Sequence, residues 1–104
     1  MVPSELAAKA DEAASLLTAL ANKKRLLIAC HLLEGEMSVN ALAEAVGLSQ
    51  SALSQHLAKL RALGLVATRR EAQTIYYRTA ANSVRAVIKA LHGIYYPDNS
   101  RKRA

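Results

Sequence analysis

The sequence predicts a small, mainly helical domain in which four helices are followed by a β-hairpin and a last helix. Apolar residues recur every three or four positions over most of the 104 residues, and they alternate with polar residues only between positions 65 and 77. Gly, Asn and Ser separate the segments. A chain of this length suits one core, so we expect residues 1–104 to form a single domain with a disordered basic tail at about 97–104.

The first two predicted helices meet at Asn22, a residue type that favours helix N-termini. The first helix covers residues 4–20, with Ser4 as its N-cap and an apolar face made of Leu6, Ala10, Ala13, Ala14, Leu17 and Leu20. The second ends at Gly35, and its spacing predicts a buried stripe of Leu26, Leu27, Cys30 and Leu33.

The third and fourth predicted helices begin at Ser38 and Ser49, both suitable N-caps. The third stops at Gly47, which can adopt the left-handed conformation of a tight turn, and its apolar face is Leu42, Ala45 and Val46. The fourth ends at Gly64 and is predicted to bury Leu53, Leu57 and Leu60.

Beyond Gly64 the apolar period changes to two. Leu65 and Ala67 alternate with polar neighbours, as do Ile75 and Tyr77, which predicts two short strands joined by a charged loop at residues 70–73. Helical spacing returns over residues 81–96, through Val84, Val87, Ile88, Leu91, Ile94 and Tyr95, and Pro97 and Asn99 end this helix.

The composition favours a polyanionic partner. Fourteen Lys and Arg against eight Asp and Glu give a formal charge of +6, which points first to nucleic acid and second to an anionic membrane surface. No apolar run is long enough to span a membrane and no signal peptide is evident, so we expect a cytoplasmic protein. Cys30 is the only cysteine, which excludes an internal disulfide and a zinc ribbon.

Residues 39–57 have the spacing of a helix-turn-helix. Ala43 is small where two helices must approach, Gly47 lies in the turn, and Leu48 and Leu53 follow as packing residues, although an ordinary helical hairpin would have the same features. The exposed positions of the fourth helix favour the first interpretation, because uncharged donors and acceptors can read base edges while Lys binds phosphate; these are Gln50, Ser51, Ser54, Gln55 and Lys59.

Two groups of cations are further candidates for DNA contact. Lys23, Lys24 and Arg25 occupy the start of the second helix, where the helix dipole disfavours cations, so either DNA phosphate or a carboxylate paired with Arg25 would compensate. Arg69 and Arg70, with Gln73 at the hairpin tip, are predicted to form a wing on the DNA backbone or minor groove, the alternative being a solvated turn.

Three segments in order, at residues 21–26, 48–57 and 68–77, resemble the ArsR/SmtB family of bacterial repressors, and within it the branch that contains a rhizobial nodulation repressor and sulfur-responsive regulators. The resemblance implies a winged helix-turn-helix of order ααααββα that dimerises through its first and last helices and represses at an imperfect palindrome. We expect duplex DNA as partner, with His56 and Lys24 added to the contacts above, and a homodimer formed by Leu6, Leu17, Val84, Val87, Leu91 and Tyr95.

The sequence departs from the metal sensors and thiol sensors of that family. Residues 36–40 contain no cysteine and the last helix offers only His92, so we expect no metal and no cofactor. Cys30 matches the first cysteine of a dithiol switch, but Tyr96 stands in place of the second. We therefore expect Cys30 to be an apolar core residue, with a redox role as the alternative.

An enzyme and a protein- or RNA-binding module are the two other functional classes to consider. No paired carboxylates, activated nucleophile or phosphate-binding glycine loop can be assembled, so we expect no enzyme. A winged-helix module for protein or RNA binding is the other alternative, since Tyr76 and Tyr77 can stack on unpaired bases.

Overall fold

The computed structural model describes residues 3–97. Most of the predicted basic tail therefore lies outside the described residues. The elements of the described range, in chain order, are α1 (Pro3–Ala8), α2 (Ala10–Leu20), α3 (Lys23–Glu34), β1 (Met37–Ser38), α4 (Val39–Val46), α5 (Gln50–Ala62), β2 (Val66–Glu71), β3 (Thr74–Thr79) and α6 (Asn82–Tyr95).

The segment predicted as one N-terminal helix is divided in two. The backbone leaves helical geometry at Lys9, with φ −113° and ψ 9°, and Ser4 lies inside α1 instead of capping it. No residue of α1 is buried, so no core contact holds α1 in line with α2. The alanine-rich pattern runs through Lys9 without Gly or Pro, and periodicity alone therefore missed the break.

Polar side chains cap the next three helices, as predicted. Asn22, Ser38 and Ser49 begin α3, α4 and α5, and each accepts a hydrogen bond from a backbone N–H two or three residues later. Gly47 ends α4 at φ 69° and ψ 45°, a conformation that costs a residue with a Cβ about 1–2 kcal/mol. These caps fix a three-residue turn, 47–49, between α4 and α5.

A three-stranded antiparallel sheet replaces the predicted two-stranded hairpin. Its order is β1-β3-β2, and the two-residue strand β1 is too short to show a period in the sequence. Glu71 pairs with Thr74, so the turn comprises only Ala72 and Gln73, not the four residues predicted. Ala72 has a positive φ of 56°.

The core lies between the sheet and helices α2 to α6. Its buried residues include the predicted leucines of α5, whereas α3 buries a different face from the one predicted: Ile28, Ala29 and Leu32. The apolar residues of α3 occupy most of its faces, so their spacing does not indicate which side is buried. In α4, Ala43 is buried and Ala45 is exposed, because Ala43 faces the close approach of neighbouring helices.

Candidate nucleic-acid interface

Helix α5 has one buried leucine face and one exposed polar face. Ser51, Ser54 and Gln55 are exposed on its N-terminal half. Lys59 and Arg61 are exposed in its last turns, where cations interact favourably with the helix dipole. The arrangement places neutral hydrogen-bonding groups first along the helix and positive charge behind them, which suits base edges and phosphates respectively.

The first turns of α4 and α5 are joined by a side-chain hydrogen bond. Gln50 Nε2 donates to Oδ1 of Asn40, and both residues are exposed. The bond fixes the direction of the Gln50 amide, so Asn40 belongs to the polar surface although sequence reasoning missed it. Its only sequence signal is a position two residues after the α4 N-cap.

His56 on α5 is partly buried and makes a contact within the chain, whereas Ser54 and Gln55 beside it are exposed. Its Nδ1 lies 3.2 Å from the guanidinium nitrogen Nη1 of Arg25. Burial, and then the charges of Arg25 and Lys59, lower the pKa of His56, so the neutral ring accepts this hydrogen bond. The side chain of His56 is thus engaged within the chain, and its contact with DNA stays a prediction.

Arg25 has no carboxylate partner within residues 3–97, so that alternative is wrong, while its contact with DNA phosphate stays a prediction. Its Nε donates to the backbone carbonyl of Ala19 at 2.5 Å, and its Nη2 lies 3.5 Å from the carbonyl of Thr18. Both carbonyls lie in the last turn of α2, where the helix dipole is negative. The guanidinium is therefore held by a helix C-terminus and by His56, not by a carboxylate.

Lys24 also contacts the C-terminus of a neighbouring helix. Its ammonium donates to the carbonyl of Val46, the last residue of α4, at 2.6 Å. This contact with the negative end of α4 compensates the charge of Lys24, and the expected phosphate contact of Lys24 stays a prediction. The helix dipole disfavours Lys24 and Arg25 at the start of α3, and the C-terminus of a neighbouring helix compensates each charge.

The two wing arginines differ in their partners. Arg69 is paired with Glu36, its Nη2 lying 2.8 Å from Oε1, and its guanidinium covers the ring of Tyr76 at 4.5 Å from the centroid. Arg70 is exposed, and its side chain makes no hydrogen bond or ion pair with another residue in the described range 3–97. Gln73 is exposed at the hairpin tip, as predicted. Arg69 is thus paired within the chain, whereas the side chain of Arg70, next to the hairpin tip, is unpaired within residues 3–97; contact of either arginine with DNA stays a prediction.

The apolar residues expected at a dimer interface fall into two groups. Leu6, Leu17 and Tyr95 are 49, 57 and 72% exposed. Val84 is only 2% exposed and belongs to the core, so its assignment to an interface is corrected; Val87 also packs against the core. Further exposed apolar side chains, not included in the prediction, are Leu63, Ile94 and Tyr96.

Cys30 is exposed, contrary to the expectation that it packs in the core. The stripe assigned to it is not the buried face of α3. Partial desolvation and the nearby Glu34 raise the pKa of the thiol, which favours the protonated and less reactive form.

Neither a metal-ion cluster nor a membrane-spanning helix is found in residues 3–97. They contain no cluster of three or more His, Cys, Asp or Glu placed to hold a metal ion. Within the same range, no helix is both long and apolar enough to cross a membrane.

A capped helix-turn-helix followed by a β-hairpin and a packed C-terminal helix defines a winged helix-turn-helix protein. Residues 22–68 match the family model of bacterial regulatory proteins of the arsR family, and the chain belongs to that family.

The chain is 56% identical to the nodulation protein NolR of Rhizobium meliloti over 93% of this chain and 80% of that protein. It is 50% identical to the transcriptional activator HlyU of Vibrio cholerae, covering 91% of this chain and 88% of that one. A solved homodimeric winged helix-turn-helix DNA-binding domain from Mycobacterium bovis superposes with a TM-score of 0.77 at 33% identity, covering 100% of this chain and 94% of that domain. Transcriptional regulation is therefore the function of close relatives.

Proposed function

We propose that this protein is a transcriptional repressor, not an enzyme, that binds duplex DNA sequence-specifically as a homodimer in the bacterial cytoplasm. The observation that carries the proposal is the exposed face of α5, where Ser51, Ser54 and Gln55 are free to reach base edges. An α-helix fits the major groove, in which each base pair has a distinct pattern of donors and acceptors. Lys59, Arg70 and Gln73 supply the contacts beside it.

A homodimer is supported by the apolar surface of the terminal helices. Leu6 on α1, Leu17 on α2 and Tyr95 on α6 expose large apolar side chains, and exposed apolar patches on soluble proteins mark interaction surfaces. A two-fold dimer would place two α5 helices on one side of the duplex, about 34 Å apart, in successive turns of the major groove. An imperfect palindrome is the DNA sequence that matches this symmetry.

Repression follows from occlusion, because a dimer that covers two major-groove turns of a promoter excludes polymerase from them. The relative HlyU is named a transcriptional activator, whereas occlusion of a promoter by this protein gives repression. We propose a repressor that uses neither a metal nor a cofactor, because residues 36–40 contain no cysteine and the last helix offers only His92 as a ligand.

The two alternatives are less well supported by the contacts of the described residues. A thiol switch at Cys30 requires a reactive thiolate, whereas the pKa of this thiol is raised. Single-strand binding requires free aromatic faces, whereas the ring of Tyr76 is covered by Arg69 and Tyr77 packs against the core.

Selection of bound fragments from a random duplex pool tests the proposal. We expect recovered sequences to share two related half-sites, with an affinity at least about 1,000-fold above that for a scrambled duplex at physiological salt. A single-stranded version of the same sequence is the matched control. Equal affinity for selected and scrambled duplexes, or a preference for the single strand, would overturn the proposal.

A further inference from the structure

Glu36, Tyr76 and Arg69 form a cluster across the outer face of the sheet. Glu36 directly precedes β1, Tyr76 lies on the central strand β3, and Arg69 lies on β2. Ser38 and Arg69 both pair with Tyr76, on its two sides. Since side chains alternate along a strand, this face is opposite to the one from which Tyr77 enters the core.

The charged groups of Arg69 and Glu36 lie closer together than those of an ordinary surface ion pair. Arg69 Nε donates to both carboxylate oxygens of Glu36, at 2.8 and 2.9 Å, and Nη2 lies 2.8 Å from Oε1. Glu71 is a second and more distant partner, with Oε1 3.6 Å from Nη1. The hydrogen bond with Glu36 is the main influence that raises the pKa of the Arg69 guanidinium. Glu36 is therefore the main partner that neutralises this cation before any DNA approaches, and Glu71 is a weaker one.

The cluster also connects two parts of the DNA-binding surface. Glu36 lies two residues before Ser38, the N-cap of α4, while Arg69 lies in β2, the first strand of the wing. A bond between them fixes the wing against the start of the helix-turn-helix. Exposed ion pairs stabilise folds little, so orientation and charge are the properties that this pair can control.

We propose that Glu36 is a positioning residue for DNA recognition: it neutralises Arg69 and holds the wing in place, so that Arg70 is the wing cation that meets phosphate. This inference rests on the proposed binding of duplex DNA. Glu36→Gln keeps the shape of the side chain and removes its charge, whereas Arg69→Gln removes the cation and leaves Glu36 without its partner.

The test measures, for four proteins, the affinity for the selected duplex and for a scrambled duplex over a range of salt concentrations. The proteins are the parent, Glu36→Gln, Arg69→Gln and the double variant. We expect Glu36→Gln to steepen the dependence of log affinity on log salt by about 0.9 on the scrambled duplex, because one cation becomes available to phosphate. Arg69→Gln and the double variant should keep the parent's slope. All three variants should lose part of the preference for the selected sequence, because the wing is no longer held.

Glu44→Gln is the matched control, since Glu44 is an exposed glutamate on α4 that makes no ion pair within residues 3–97. A slope for Glu36→Gln no steeper than for Glu44→Gln would overturn the inference. A slope flattened by Arg69→Gln would also overturn it, because Arg69 would then contact phosphate in the parent. A parent that does not distinguish the two duplexes contradicts the proposed function instead, while the slopes on scrambled DNA still report whether Arg69 is neutralised.

Discussion

Arg25 and His56 connect α2 to the helix that carries the polar recognition face. Nη1 of Arg25 lies 3.2 Å from Nδ1 of His56, and Nε of the same guanidinium donates to the carbonyl of Ala19 at 2.5 Å. The contact requires a neutral histidine, because a protonated Nδ1 has no lone pair to accept the hydrogen bond. Protonation of one ring on α5 would therefore loosen its attachment to α2.

The first prediction is a dependence of stability on pH. The pKa of His56 is lowered by burial first and by Arg25 and Lys59 next, so the unfolded state binds more protons than the folded state between the two pKa values. The contribution of His56 to stability should be complete above about pH 6.5, the pKa of an unfolded histidine, and should be lost as pH falls through the folded pKa. His56→Gln should have a thermal midpoint that changes less with acidification, because Gln can accept from Arg25 but does not titrate.

Ser54→Ala, on the exposed face of the same helix, is the control and should keep the parent's pH dependence. If His56→Gln follows the parent from neutral to mildly acidic pH, His56 is not the group responsible.

The second prediction concerns the ammonium of Lys24 on the carbonyl of Val46. Lys24→Met should lower the free energy of unfolding by about 1–2 kcal/mol, because a charge-assisted hydrogen bond at a helix C-terminus is lost. Denaturant titration measures the change, with Lys23→Met, its exposed neighbour, as control. A stable Lys24→Met with a flatter salt dependence of DNA binding would instead place this side chain on phosphate.

The third prediction separates Arg70 from other exposed cations. Arg70→Gln should weaken binding to all duplexes alike and flatten the dependence of log affinity on log salt by about 0.9 for each lost phosphate contact. Arg78→Gln removes an exposed arginine from β3, away from the wing tip, and should leave the slope unchanged. Equal effects of the two substitutions would show that the slope reports net charge, not a wing contact.

The fourth prediction concerns the apolar surface of α2. Leu17 is 57% exposed, so Leu17→Glu should leave the chain folded while placing a charge at the proposed dimer interface. Sedimentation at micromolar concentration should show a dimer for the parent and a monomer for this variant. Ala45→Glu, an equivalent change on the exposed side of α4, should remain dimeric. A dimeric Leu17→Glu would exclude Leu17 from the interface.

Features set by neighbouring residues could be predicted from the sequence, whereas contacts between distant residues could not. Asn22, Ser38, Ser49 and Gly47 act on residues only a few positions away, so the ends of helices α3, α4 and α5 were predictable. The leucine spacing of α5 likewise identified its exposed face.

Contacts between distant residues were not predictable in this way. Lys24 and Val46 are 22 residues apart, and Arg69 and Glu36 are 33 apart, so nothing in the local pattern shows that these cations have partners. The sequence predicts a DNA contact for Lys24 because its charge has no visible local compensation, and for Arg69 because it lies in the predicted wing. Cys30 was misplaced for another reason: α3 is apolar on several faces, and only its packing decides which face is buried.

The most direct test of the central claim, that the exposed face of α5 reads base sequence, is the effect of Gln55→Ala on binding to a set of duplexes that vary one base pair at a time. We expect Gln55→Ala to weaken binding to the selected sequence by about 1–3 kcal/mol, to relax the preference at one base-pair position in each half-site and to change binding to scrambled DNA little. An equal loss on selected and scrambled duplexes, with every base preference retained, would contradict this claim.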